Sequence, residues 1–123
     1  MANTEAEFSI LAGSGAPVRA FKQGETIFRE GDPATELYVV KSGRVDVTSG
    51  NRLLATLGVN GIFGEMALID KEPRSATVVA ATDVELVPVD EKQFLFLVSQ
   101  TPFFALRVMR VLAGRLRVAN KAM

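Results

Sequence analysis

Phe63-Gly64-Glu65-Met66-Ala67-Leu68-Ile69-Asp70-Lys71-Glu72-Pro73-Arg74-Ser75-Ala76-Thr77-Val78 is the stretch from which the rest of the chain becomes readable. It places an acid, Glu65, at a predicted helix start and an arginine, Arg74, nine residues later at a predicted strand start. Gly64 to Ile69 suits one or two helical turns, stopped near Pro73. The first turn of a helix carries amide hydrogens without partners and a partial positive charge, so it attracts anions. Gly64 lets a ligand approach the backbone closely. Arg74 adds a fixed charge and a forked donor suited to phosphate oxygens. The Ser75 and Ala76 amides at the strand start can complete a cradle, and their small side chains leave room for the anion. Glu65 is too close to such an anion to bind it, and is suited instead to accept a hydrogen bond from a sugar hydroxyl. A carboxylate, backbone donors and a guanidinium together match a cyclic nucleotide, which offers a monoanionic phosphate, a free 2′-hydroxyl and a flat base.

Outward from this cassette the chain changes period twice. Between Phe21 and Val89 the apolar runs are short and end at turn residues. Thr26-Ile27-Phe28-Arg29 ends at Glu30-Gly31-Asp32-Pro33, and Glu36-Leu37-Tyr38-Val39-Val40 ends at Lys41-Ser42-Gly43. Arg44-Val45-Asp46-Val47-Thr48 alternates and ends at Ser49-Gly50-Asn51, and Arg52 to Leu57 is closed by Gly58 and Gly61. Ser75–Ala81 and Val84–Val89 follow the cassette. Many short strands with glycine turns predict an antiparallel sandwich or barrel, although spacing alone does not choose the jelly roll over other all-β folds. After Asp90, a good N-cap followed by Glu91 in the first turn, the pattern is helical, with Phe94, Leu95, Leu97 and Val98 as the apolar stripe. Thr101-Pro102 opens a second helix running to about Asn120, with apolar Phe103, Leu106, Met109, Val111, Leu112 and Leu116. Its length would be about 28 Å. Residues 1–18 contain the breakers Gly13, Gly15 and Pro17 and predict a short helix around Glu5–Leu11 followed by a turn.

Composition narrows the function. At 123 residues the chain can build one domain with a single core. It has neither cysteine nor histidine. That removes disulfides, thiolate metal sites, the commonest general base and the commonest transition-metal ligand. A metal-dependent jelly-roll enzyme is therefore disfavoured, and no catalytic residue is expected. No apolar run approaches the ~20 residues of a membrane span, and Met1-Ala2-Asn3-Thr4-Glu5 lacks the features of a secretory signal. A cytoplasmic location is expected. Net charge is zero, but Arg107, Arg110, Arg115, Arg117 and Lys121 lie in one acid-free helix. Such a helix is a solvated face, a surface for another copy or an acidic partner, or a membrane-lying helix.

The segment Phe63 to Val78 resembles the phosphate-binding cassette of the cyclic nucleotide-binding domain family, found in kinase regulatory subunits, cyclic-nucleotide-gated channels and catabolite-activator-type bacterial regulators. Gly24 to Asp32, followed by Tyr38-Val39-Val40-Lys41-Ser42-Gly43-Arg44-Val45, resembles the first strands of the same β-roll. The resemblance implies a mainly β fold with flanking helices: an antiparallel, jelly-roll-like β-roll with a short cassette helix and two C-terminal helices. It implies a short N-terminal helix and turn over 1–18 and a binding domain over 19–123, with the roll at 19–89 and the helices at 90–121. The implied ligand-binding residues are Phe63, Gly64, Glu65, Met66, Ala67, Arg74, Ser75, Ala76, Val78 and Asn120. Among them Gly64 and Glu65 would hold the ribose, and Arg74, Ser75 and Ala76 the phosphate. Val78 and Leu68 would line the base pocket, and Asn120 would meet the base edge. Ser75 serves equally as a strand-start residue bonding its own backbone.

The implied function is a regulatory module that binds cAMP or cGMP, with cAMP preferred, and couples capture to movement of its C-terminal helix. The alternative is a ligand-free interaction domain that has kept the fold. No resident cofactor or metal is expected. The expected partners are the cyclic nucleotide and, through the last helix, an effector protein or a second copy. No nucleic-acid-binding or transmembrane segment is expected in this chain. Two departures from the family are visible. A helical lead-in of only about 18 residues is expected here, and no helix-turn-helix, kinase or channel segment is expected within these 123 residues.

Overall fold

The computed structural model describes residues 17–122, with side chains as far as residue 114. The expected helix around Glu5–Leu11 lies outside the described residues. Strands form at Arg19–Phe21 (β1), Thr26–Phe28 (β2), Glu36–Ser42 (β3), Val45–Ser49 (β4), Arg52–Leu57 (β5), Ile62–Phe63 (β6), Thr77–Ala80 (β7) and Val84–Asp90 (β8). A single turn of helix, Met66–Ile69 (α1), separates β6 from β7. Glu91–Gln100 (α2) and Pro102–Ala122 (α3) follow β8.

The strands make two four-stranded sheets, ordered β1-β8-β3-β6 and β2-β7-β4-β5. All pairings are antiparallel. The mainly β roll with flanking helices is thus the architecture that the sequence predicts. Alternation explains how the sheets close on one another. Tyr38 and Val40 of β3, Phe63 of β6, and Val84 and Leu86 of β8 meet Val45 of β4 and Val78 and Ala80 of β7 in one buried cluster. Side chains two apart share a face of a strand, so one face of each sheet supplies this core. Pro88 sits inside β8 opposite Tyr38, but β1 reaches β8 only as far as Leu86. The residue without an amide hydrogen therefore lies past the end of the neighbouring ladder.

Two compact units are distinguished, one spanning Ala16–Glu91 with both sheets and α1, the other including Lys92–Met123. In the second, Phe94 and Phe104 meet edge to face at 5.8 Å between ring centroids. Thr101 breaks the helices, which bend by 117° there. Its hydroxyl donates to Leu97 O at 2.9 Å and its carbonyl accepts from Phe104 N at 2.9 Å. The threonine side chain thus closes the helix before it, rather than only starting the one after it.

The apolar residues of α3 divide between two sides of the helix. Phe104 and Val108 are buried, whereas Phe103, Leu106 and Met109 are exposed. With 3.6 residues per turn, the i, i+4 pair 104/108 defines the packed side and the 103/106/109 stripe faces away from it. Leu116 and Asn120 lie in α3, with side chains outside the described residues. No single helix among the described residues is long and apolar enough to cross a membrane.

Candidate functional site

The cassette begins where β6 ends. Gly64 adopts φ +77°, and a Cβ on it would stand 2.6 Å from Arg74 Nη1. Glycine meets both demands at least cost, a left-handed backbone and room for the tip of a guanidinium. Glu65 follows in helical conformation, is 1 % exposed and occupies the cap position of α1 without a side-chain capping bond. The first turn is tight: Ala67 N donates to Gly64 O at 3.2 Å and Leu68 N to Glu65 O at 3.1 Å. The helix is therefore shorter than the predicted Gly64–Ile69. Its own ladder takes up the Ala67 and Leu68 amides, and the Gly64, Glu65 and Met66 amides precede that ladder. Asp70 N and Lys71 N both return to Met66 O, and Lys71 ends the turn at φ +59°.

Arg74 is the centre of the site. Its backbone is fixed by the loop after β2: Arg74 N donates to Asp32 O at 2.9 Å, and Gly31 N donates to Arg74 O at 2.8 Å. That loop is itself closed, with Asp32 N on Arg29 O and Arg29 N on the Asp32 carboxylate. Arg74 Nη1 donates to Gly64 O at 3.2 Å, returning the side chain to the head of the cassette. The residue is 7 % exposed, and its Nε is buried with no hydrogen-bond partner among the described residues. The guanidinium carbon lies 4.0 Å from the Phe28 ring centroid and 5.7 Å from that of Tyr38. Burial pulls the guanidinium below its ordinary range, and Tyr38, Glu36, Asp32 and Glu65 oppose the shift. A buried cation with an unused donor is a costly arrangement in a free protein and a suitable one for an arriving anion.

Behind Arg74 stands an aromatic cluster. Phe28, Tyr38 and Phe63 have centroid separations of 6.1, 5.9 and 5.3 Å. Tyr38 OH donates to Glu36 Oε1 at 3.0 Å and accepts from Arg19 Nη1 at 2.9 Å, while Arg19 also pairs with Glu36. Burial raises the Tyr38 phenol above its ordinary range, its bond to Glu36 adds to this, and Arg19 and Arg74 act against it. The hydrogen bond to Glu36 raises Arg19.

The sequence candidates thus separate into groups. Gly64 and Arg74 are in direct contact. Ser75 is exposed beside Arg74, Ala76 is buried, and Ala67 is buried on α1 while Met66 is half-buried there. Phe63 and Val78 belong to the hydrophobic core of the roll, and Leu68 is half-buried. Phe28, Tyr38, Glu36, Arg19 and the Gly31-Asp32 turn were not anticipated around Arg74. The Glu30-Gly31-Asp32-Pro33 turn was legible, but its partner 42 positions later was not.

Residues 18–101 match the sequence model of the cyclic nucleotide-binding domain. The chain belongs to that family. It is 39 % identical over 107 residues to the cyclic AMP receptor protein of Thermus thermophilus, covering 83 % of this chain and 50 % of that protein. The crystal structure of the Thermus thermophilus catabolite activator protein superposes with a TM-score of 0.78 at 39 % identity, covering 93 % of this chain and 56 % of that one. The EAL enzyme Bd1971 in its cAMP-bound form gives a TM-score of 0.63 at 39 % identity, covering 84 % of this chain and 29 % of that one. That enzyme has also been solved in a cGMP-bound form. The chain spans about half the length of the curated relatives it matches.

Proposed function

We propose that this chain is a regulatory module that binds cAMP in preference to cGMP and couples capture to its C-terminal helix. The observation that carries the reading is Arg74, a buried guanidinium with one unused donor at the head of a glycine-started helical turn. Arg74 takes the cyclic phosphate, with the Ser75 and Ala76 amides beside it. Glu65 accepts the ribose hydroxyl, and Gly64 provides close approach. Met66 and Ala67 form the wall of the first turn, Leu68, Val78 and Phe63 supply apolar backing for the base, and Asn120 meets its edge. The domain runs over 19–123, with residues 1–18 as its lead-in. The cAMP preference draws support from the likeness to a cyclic AMP receptor protein.

Cyclic nucleotide is a regulatory ligand here and not a cofactor, and the module performs no chemistry of its own in a cytoplasmic setting. The exposed Phe103, Leu106 and Met109 stripe on α3 is what the last helix offers an effector protein or a second copy. A stripe of three large apolar side chains flanked by Arg107 and Arg110 is more consistent with a partner than with free solvation. Thermal unfolding with cAMP, cGMP and 5′-AMP tests the reading. Ligand at ~100 times its dissociation constant stabilises by ~2.7 kcal/mol, so cAMP should raise the melting temperature at lower concentration than cGMP, and 5′-AMP least. No shift with either cyclic nucleotide would leave the ligand-free interaction domain as the better account.

A further inference from the structure

Phe28 occupies a place that the ligand reading leaves unused. It ends β2, where pairing with β7 slips: Thr26 lies opposite Val79 and Phe28 opposite Val78, so Ile27 is an extra residue on the β2 side. A bulge of this kind breaks the two-residue alternation and re-aims the side chains around it. The consecutive residues Ile27 and Phe28 therefore both pack on the core, which a regular strand would not permit. The Phe28 ring arrives against the Arg74 guanidinium at 4.0 Å, closer than the Tyr38 ring at 5.7 Å.

Glu36, Asp32, Glu65 and Tyr38 act on the Arg74 charge through space, but they do not fix the plane of the guanidinium. The Gly64 carbonyl accepts one bond at 3.2 Å, and Nε has no hydrogen-bond partner among the described residues. An aromatic face carries negative potential, and its attraction for a guanidinium strengthens as water is removed. We propose that Phe28 is a positioning residue of the anion site: its ring face holds the buried Arg74 guanidinium in place before the phosphate arrives. The proposal rests on the assignment of Arg74 to the phosphate. A leucine in place of Phe28 would fill much of the same volume without the ring potential. The bulge is then the device that places an aromatic face beneath a cation. Tyr38 and Phe63 back the ring from behind at 6.1 and 5.9 Å.

The test replaces Phe28 with pentafluorophenylalanine, which keeps the shape of the ring and reverses its potential. Calorimetric titration of the whole chain with cAMP should show binding weakened roughly 3- to 30-fold, with Phe28→Tyr close to wild type and Phe28→Leu as weak as the fluorinated ring. Unchanged affinity of the fluorinated protein overturns the proposal. Urea unfolding without ligand supplies the second arm. Fluorination should lower the midpoint when Arg74 is present and leave it unchanged when Arg74 is replaced by methionine. An equal loss in both backgrounds would mean that Phe28 only packs, and would also overturn the proposal. The two failures are distinguishable: a wild type that binds neither cyclic nucleotide defeats the functional reading, whereas equal losses in both backgrounds defeat the hold of Phe28 on Arg74.

Discussion

Arg74 Nη1 donates to Gly64 O across 3.2 Å, so one side chain ties together two ends of the cassette that lie ten residues apart. The relationship joins the glycine that opens the turn to the cation that closes the loop, the two residues on which the proposed anion site chiefly rests.

Gly64→Ala should disturb both. The left-handed backbone costs an alanine about 1–2 kcal/mol, and the new Cβ would meet the tip of Arg74, which is 2.6 Å away. The tip is flexible, so the fold survives and the guanidinium moves. The expected outcome is an unfolding free energy lower by that amount in urea titration and a loss of cAMP affinity of roughly tenfold or more. Affinity unchanged at reduced stability would show that Arg74 need not occupy its observed place.

Arg74→Met should separate stability from binding. An apolar replacement removes the desolvation cost of a cation whose Nε has no hydrogen-bond partner among the described residues, which offsets part of the lost attraction to Glu36, Asp32 and Glu65. The ligand-free variant should still fold cooperatively, while the stabilisation given by cAMP disappears. A large loss of stability without ligand would mean that Arg74 is chiefly structural.

Tyr38 is the only tyrosine, and there is no tryptophan, so its titration can be followed alone by absorbance. Its phenol is raised in the folded protein, first by burial and then by its bond to Glu36. A group that holds its proton more tightly when folded contributes stability fully present below the unfolded value of about 10, and loses it as pH rises through the folded value. The absorbance midpoint should lie above 10, and urea midpoints should fall above that pH in wild type more steeply than in Tyr38→Phe. A midpoint at or below the ordinary tyrosine value would contradict the burial of this hydroxyl beside Glu36.

Phe103→Gln combined with Met109→Gln changes two exposed apolar residues of α3. Surface substitutions of this kind usually stay within about 0.5 kcal/mol of wild type in stability. Sedimentation of wild type against the double variant should show a partnered species only in wild type if a second copy uses this stripe. Identical sedimentation as monomers would assign the stripe to an effector or to solvent.

Much of the roll was legible because its strands are short, alternating and punctuated. Predicted β2, β3, β4, β5 and β8 lie within two residues of the observed spans. Arg19–Phe21 and Ile62–Phe63 were missed as strands since two or three residues carry no period to read. Gly64 and Arg74 were legible as a pair, because glycine before a helical turn and arginine after proline each carry a backbone or charge signal of their own. Phe28 was not, since its position depends on a bulge whose register is set by a strand about 50 residues later. Which face of α3 packs was not legible for a related reason. Phe103 and Phe104 are adjacent in sequence, and only packing decides which one turns inward.

The most direct measurement is calorimetric titration of cAMP into wild type and into Arg74→Ala. Losing the cationic partner of a desolvated phosphate should cost about 2–5 kcal/mol, so wild type should release heat on saturable binding and the variant should bind at least thirtyfold more weakly. Equal affinities for the two proteins would contradict the account of Arg74 as the residue that captures the phosphate.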